Sequence, residues 1–96
     1  MKFVVRNQAG ISNKYVRFLK WKIYRLNESF KKIVYSEIYV KQETSHPALY
    51  AVTVKLGVPG HDIIINEKSG DLKHLWRSLA KNIKRQLIKN NQKSRR

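Results

Sequence analysis

A chain of 96 residues has room for one domain with a core of its own and little for a second lobe. Lysine and arginine outnumber aspartate and glutamate 21 to 6, a formal charge of +15, and that excess calls for a polyanionic partner. Cysteine is absent, which excludes disulfides, thiolate zinc centres and thiol catalysis.

The first residues, MKFVVRNQAG, meet charge and glycine after only a few apolar side chains, so neither a signal peptide nor a spanning helix is expected and a cytoplasmic address follows. Lys2 to Arg6 is short and β-rich, with Phe3 and Val5 on one side and Val4 on the other. Ala9-Gly10 ends that strand. Ser12 or Asn13 then caps a helix predicted to run to about Lys32, with a core stripe of Tyr15, Leu19, Ile23, Leu26 and Phe30. Its outer side carries Lys14, Arg17, Lys20, Trp21, Tyr24 and Lys31, with Glu28 the only acid among them.

Val34 to Gln42 alternates: Val34, Ser36, Ile38 and Val40 point one way, and Tyr35, Glu37, Tyr39 and Lys41 the other, the period of a half-exposed strand. A polar loop from Glu43 to Ala48 leads to a second alternation, where Tyr50, Val52, Val54, Leu56 and Val58 share a face opposite Thr53 and Lys55. The two pair as a hairpin. Gly57-Val58-Pro59-Gly60 is a turn, Asp62 to Asn66 a further strand, and Glu67 to Gly70 a lead into the last helix.

That helix dominates the C-terminal third. Leu72, Leu75, Trp76, Leu79, Ala80, Ile83 and Leu87 close one face at helical spacing, while Lys73, Arg77, Lys81 and Lys84, flanked by Arg85 and Lys89, stand opposite. Ser69 or Asp71 caps its start, and Asp71 adds a negative charge at the positive end of the helix dipole. Residues 90–96 hold no apolar side chain and are expected to form a basic disordered tail after a single domain spanning residues 1–89.

The order β-α-β-β-β-α predicts an α+β domain: a four-stranded sheet with both helices packed on one face, the first strand parallel to its neighbour and the rest a meander. Both helices need their apolar faces for the core, which argues against a membrane surface and leaves nucleic acid as the leading polyanion. The acids Glu28, Glu37, Glu43, Asp62, Glu67 and Asp71 form no near pair on one face, and His46, His61 and His74 lack ligand spacing, so no catalytic group, metal, cofactor or small-molecule substrate is expected. The candidate surface is basic and aromatic: Arg17, Lys20, Trp21, Lys22 and Arg25 on the first helix, Lys73, Arg77, Lys81, Lys84, Arg85 and Lys89 on the second. Cations of this kind track phosphates; Trp21 and Tyr24, on the outer side of their helix, either stack on a base or lie half covered by lysine stems. Tyr35 and Tyr39 rank as cross-strand partners, because Glu37 between them repels phosphate.

The element order, with DLKHLWRSLAKNIKRQLIK, resembles the ribosome hibernation promoting factor and ribosome-associated inhibitor family, in its short form. Asp71 matches the aspartate that leads the family's last helix, Arg85-Gln86-Leu87 and Lys89 match its ending, and Lys22 and Arg25 before Leu26 match a basic pair on its first helix. Lys73 stands where the family usually has tyrosine, and His74 and Leu75 where it has small residues. The resemblance implies a non-enzymatic translation inhibitor, active in resting or stressed cells, that lodges in the messenger and transfer RNA channel of the small ribosomal subunit and contacts its RNA. It also implies a protein that is monomeric off the ribosome, since the family's C-terminal dimerisation domain is absent.

Rival readings come from other classes. Without its first strand the order is that of a double-stranded RNA-binding domain, although here the cations run the length of the last helix instead of clustering at its start. A small basic ribosome-dependent ribonuclease toxin suits the size and charge but usually ends in strands. A structural ribosomal protein has the same composition.

Overall fold

A computed structural model of the protein describes residues 2–30, 33–43 and 48–93, with side chains as far as Lys89. In chain order the elements are β1 (Lys2–Asn7), α1 (Asn13–Phe30), β2 (Tyr35–Gln42), β3 (Tyr50–Val58), β4 (His61–Ser69) and α2 (Leu72–Lys93). They form one four-stranded sheet in the order β1-β2-β3-β4, with β1 parallel to β2 and the other pairs antiparallel. The α+β architecture predicted from the alternation is the one observed.

Period-two patterning decides which face meets the helices. Ile38 and Val40 of β2, Val52, Val54, Leu56 and Val58 of β3, and Ile63 and Ile65 of β4 are buried, and they share one core with Leu19 and Ile23 of α1 and Leu75, Trp76, Leu79, Ile83 and Leu87 of α2. Removing side chains of this size from water stabilises the fold by roughly 1.5–3 kcal/mol each, the main force holding both helices to a common face.

Local chemistry sets the element ends. Asn7 closes the turn after β1: its Nδ2 donates to the Ile11 carbonyl at 2.8 Å and its Oδ1 accepts from the Ile11 N–H at 3.1 Å, around Gly10 at a φ of 66°. The far end of α1 is tied by Asn27, whose Oδ1 accepts from the Ile33 N–H at 2.9 Å. Pro59 and Gly60 turn β3 into β4 with Gly60 at a φ of 93°, a conformation that glycine adopts without a Cβ clash.

Three boundaries differ from the sequence reading. Val34 was expected on the core face of β2 but lies before that strand, 65% exposed, while Ile33 takes the buried place. The Val34 N–H donates to the Gly57 carbonyl at 2.8 Å, so its backbone joins the ladder while its side chain faces solvent. β4 runs to Ser69, opposite Tyr50, where the sequence suggested a lead into the helix: Glu67, Lys68 and Ser69 are unremarkable in composition and become strand because β3 offers them a partner. α2 continues through Lys93, past the expected start of the basic tail at Asn90, since nothing in Asn90-Asn91-Gln92 breaks a helix already nucleated by core packing. The expected extension of α1 through Lys31 and Lys32 falls outside the described residues.

Gly57 has a packing role that period two alone does not reveal. The Tyr35 ring lies across it on the open sheet face, and a Cβ at position 57 would sit 2.0 Å from the ring's Cε1. Gly57→Ala is therefore expected to lower stability by about 1–3 kcal/mol in urea denaturation, the usual cost of overpacking. In a Tyr35→Ser background that cost should largely vanish; two penalties that simply add would contradict the contact as the cause.

Candidate nucleic-acid interface

Asp71 starts α2, its Oδ1 accepting from the N–H groups of Lys73 at 3.0 Å and His74 at 3.3 Å, while Ser69 Oγ accepts from the Asp71 N–H at 3.1 Å. One turn later Trp76 reaches the first helix: its indole N–H donates to the Tyr15 carbonyl, and the two rings meet edge to face with centroids 5.4 Å apart. The Tyr15 carbonyl, in the first turn of α1, is thus bonded from the first turns of α2 and fixes the amino ends side by side.

The groove between the helices follows from that contact. Near the amino ends, Lys14, Tyr15 and Phe18 face Lys73, Trp76 and Arg77 across a cleft of about 280 Å³. Further along, Trp21, Lys22, Arg25, Leu26, Ser29 and Phe30 of α1 border a second cleft of about 330 Å³ with Lys84 of α2. Start lies against start and end against later turns, so the helices run parallel and cations of both border the seam between them.

The predicted site residues divide between this seam and its flanks. Lys22, Arg25, Trp21, Lys73, Arg77 and Lys84 border the two clefts. Lys81 is exposed one turn from both Arg77 and Lys84, on the outer face of α2. Lys20 turns the other way, its ammonium 5.3 Å from the centre of the Phe3 ring over β1, with Tyr24 beside the same ring at 5.5 Å. Arg17, three residues before Lys20, is exposed on that outer side of α1. On the far flank of α2, Ser78 Oγ donates to Glu67 Oε1, Asn82 Nδ2 donates to Glu67 Oε2 at 3.4 Å, and Arg85 donates to Asn82 Oδ1, which turns Arg85 toward β4 and away from α1. Lys89 is one turn beyond Arg85 on that side. Trp21 is 53% exposed, with the Arg25 guanidinium 5.2 Å from its ring centre, so it lies outside the core and about half covered.

Lys14 and Phe18 border the seam although the sequence reading gave neither a place in the site. Phe18 sits off the core stripe, with Lys14 and Lys22 one turn to either side, and it is 45% exposed. An aromatic flanked at i−4 and i+4 by lysines and outside the apolar stripe was the available signal.

Charge is sorted between the layers. Among the described residues, both ion pairs belong to the sheet side: Lys55 Nζ to Asp62 at 3.7 Å and Lys68 Nζ to Glu43 at 3.0 Å. None of the described cations on α1 or α2 is ion-paired; the acids there are Glu28 and the capping Asp71. The open sheet face is instead a web of local bonds. Tyr35 donates to Asp62 Oδ1 at 2.8 Å, Tyr39 to Glu37 Oε1 at 2.9 Å, and Thr53 to Asn66 Oδ1 at 2.6 Å. Tyr35 thus bridges strands as expected, whereas Tyr39 is held by its own strand. Among the described residues no group of histidine, aspartate and glutamate is arranged to hold a metal ion, and no helix is long and apolar enough to cross a membrane.

Solved structures share this arrangement. A ribosomal subunit interface protein from Coxiella burnetii superposes with a TM-score of 0.78 at 20% identity, covering 94% of this chain and 97% of that one. The Thermus thermophilus Protein Y N-terminal domain superposes at 0.56 with 16% identity, covering 88% and 93%. The chain has their fold. It is also the fold implied by the resemblance that Asp71 and Arg85-Gln86-Leu87 carry. No protein-family profile matches the chain, and no curated protein matches it by sequence.

The Tyr35–Asp62 bond has a pH signature that checks the sheet side independently. Donation to the Asp62 carboxylate, helped by desolvation and by the charges of Asp62 and Glu37, pushes the Tyr35 phenol up to about 12. The bond to Glu37 raises Tyr39 as well. A tyrosine raised in the folded state contributes stability that is complete below its unfolded pKa near 10 and is lost as pH climbs through the folded value. The urea midpoint should therefore fall between about pH 10 and 12. Tyr35→Phe should flatten part of that fall, the remainder tracing to Tyr39; an unchanged profile would contradict the bond.

Proposed function

We propose that this protein is a ribosome-binding translation factor of the hibernation type. It occupies the messenger and transfer RNA channel of the small subunit and holds ribosomal RNA with the helix layer. The observation that carries this reading is the seam itself: parallel helices, fixed to one rigid sheet, present cations from both sides that have no acid partner among the described residues, on a fold shared with a ribosomal subunit interface protein.

Phosphate oxygens are the natural partners of unpaired lysine and arginine, and rows on two parallel helices match backbone lying on either side of a channel better than a single strand. Recognition is by shape, since few side chains of the layer have the paired donors and acceptors that read base edges. The action is occupancy, with no covalent step assigned to any residue. Arg17 and Lys20, on the β1 side, and Arg85 and Lys89, on the β4 side, widen the footprint beyond the seam, and Lys81 crowns it. The protein works in the cytoplasm as a monomer until it meets the ribosome.

Geometry and bulk charge make different predictions. Lys73→Glu with Lys84→Glu, both on the seam, and Arg85→Glu with Lys89→Glu, both on the flank, change net charge equally. Cosedimentation with purified small subunits should weaken at least about tenfold more for the seam pair, the worth of one well-placed charged contact. Equal losses would mean that net charge alone drives binding. Affinity should also fall steeply with salt, by a logarithmic slope of roughly −0.9 per phosphate neutralised on duplex nucleic acid. A flat salt response, or cleavage of ribosome-bound message by the purified protein, would contradict the reading.

A further inference from the structure

The seam is not uniform along its length. Its second cleft takes its apolar lining, Trp21, Leu26 and Phe30, from α1 alone, whereas the cleft at the amino ends brings aromatic rings of both helices together within a cationic rim. Tyr15 and Trp76 are locked into that floor by their mutual contact and by the indole N–H bond to the Tyr15 carbonyl. Phe18 stands beside them with nearly half of its surface open to solvent. Lys14, Lys73 and Arg77 surround these rings, and none has an acid partner among the described residues.

A groove that only tracks phosphates needs no aromatic floor, and leaving a phenylalanine so exposed forfeits burial that an ordinary core would claim. An exposed ring ringed by cations fits one ligand chemistry: a planar base carrying a phosphate. We propose that the cleft between the amino ends of α1 and α2 is a nucleotide site, in which Phe18 stacks on one unpaired base while Lys14, Lys73 and Arg77 hold its phosphate. The inference rests on the ribosome-binding reading in that it refines the same surface, adding to shape recognition one position where RNA must be unstacked. Stacking of this kind is tolerant of base identity and is worth roughly 1–3 kcal/mol per base. The seam further along, bordered by Lys22, Arg25 and Lys84, keeps to backbone contacts on either side of it.

The chemistry has two sources, a nucleotide within an RNA strand or a free nucleotide, and one experiment separates them. In full-length protein carrying Trp21→Phe, Trp76 is the sole tryptophan left of two and reports on the cleft from its floor. Oligoadenylate, the same strand paired with oligouridylate, and free AMP are each titrated against it. A single strand held in the cleft should shift Trp76 emission, and Phe18→Ala on this background should weaken its binding about tenfold while leaving the duplex nearly unaffected. Lys14→Gln with Arg77→Gln should weaken the strand too and lower its salt slope. An AMP response abolished by Phe18→Ala assigns the cleft to free nucleotide; a strand response without one assigns it to RNA. Phe18→Ala with no effect on strand or AMP, or with equal loss for strand and duplex, would overturn the site. If that variant and the parent still cosediment equally with small subunits, only the nucleotide cleft falls and the ribosome reading stands.

Discussion

One contact sets the geometry of the helix layer: the Trp76 indole, buried at 3% exposure, whose N–H bonds the Tyr15 carbonyl across the gap between α2 and α1. A buried indole N–H without an acceptor is costly, so the partner fixes where α2 can sit once Trp76 has entered the core. Asp71 begins the helix just before that point, and the apolar stripe from Leu75 to Leu87 carries it down the same sheet face. The two helices therefore start together and run together. Their separation is set by core side chains, while the seam is lined mainly by lysine, arginine and a few aromatics.

That arrangement has an electrostatic consequence. Acids are placed where they bond locally: Asp62 with Tyr35 and Lys55, Glu37 with Tyr39, Glu43 with Lys68, Glu67 with Ser78 and Asn82, and Asp71 with the first N–H groups of α2. The helix layer keeps its positive field almost uncancelled. Mutual repulsion among those cations disfavours the compact state, and salt or a polyanion relieves it. The core supplies the opposing stability, with Leu19, Ile23, Leu79 and Ile83 fully buried at the meeting of both helices and the sheet. The sheet's open face, by contrast, mixes its cations with Glu37 and Asp62 and ties Lys55 into an ion pair, so its positive charge is partly cancelled.

Much of this was legible in residue spacing. The 3.6-residue stripe of α2 named its buried side chains, and strict alternation separated the two faces of β2 and β3, because both patterns follow directly from backbone geometry. The differences arise where the deciding partner is distant in sequence. Val34 continues the alternation of β2 yet turns outward, because the backbone there pairs with Gly57 as the chain comes off α1. β4 outruns its apolar core because β3 is long enough to pair with it as far as Ser69. At the interface, spacing separated the cations of each helix from the core but could not say which flank met the other helix. Lys20 and Lys22 look equivalent in the sequence; the ring of Phe3 draws one toward β1, and the proximity of α2 leaves the other on the seam. Phe18 falls between the core stripe and the outer row of α1, so helical spacing assigns it to neither, and only Lys14 and Lys22 on either side mark it.

The proposed function comes down to one orientation, with the helix layer turned toward ribosomal RNA and the open sheet face away from it. Hydroxyl-radical footprinting of the protein's own side chains, with and without small ribosomal subunits, reads that orientation directly. Phe18 and Trp21, exposed on the helix layer, should lose reactivity in the complex, while Ile64, exposed on the open face of β4, should keep it. Protection of Ile64 with Phe18 and Trp21 unchanged would contradict the account.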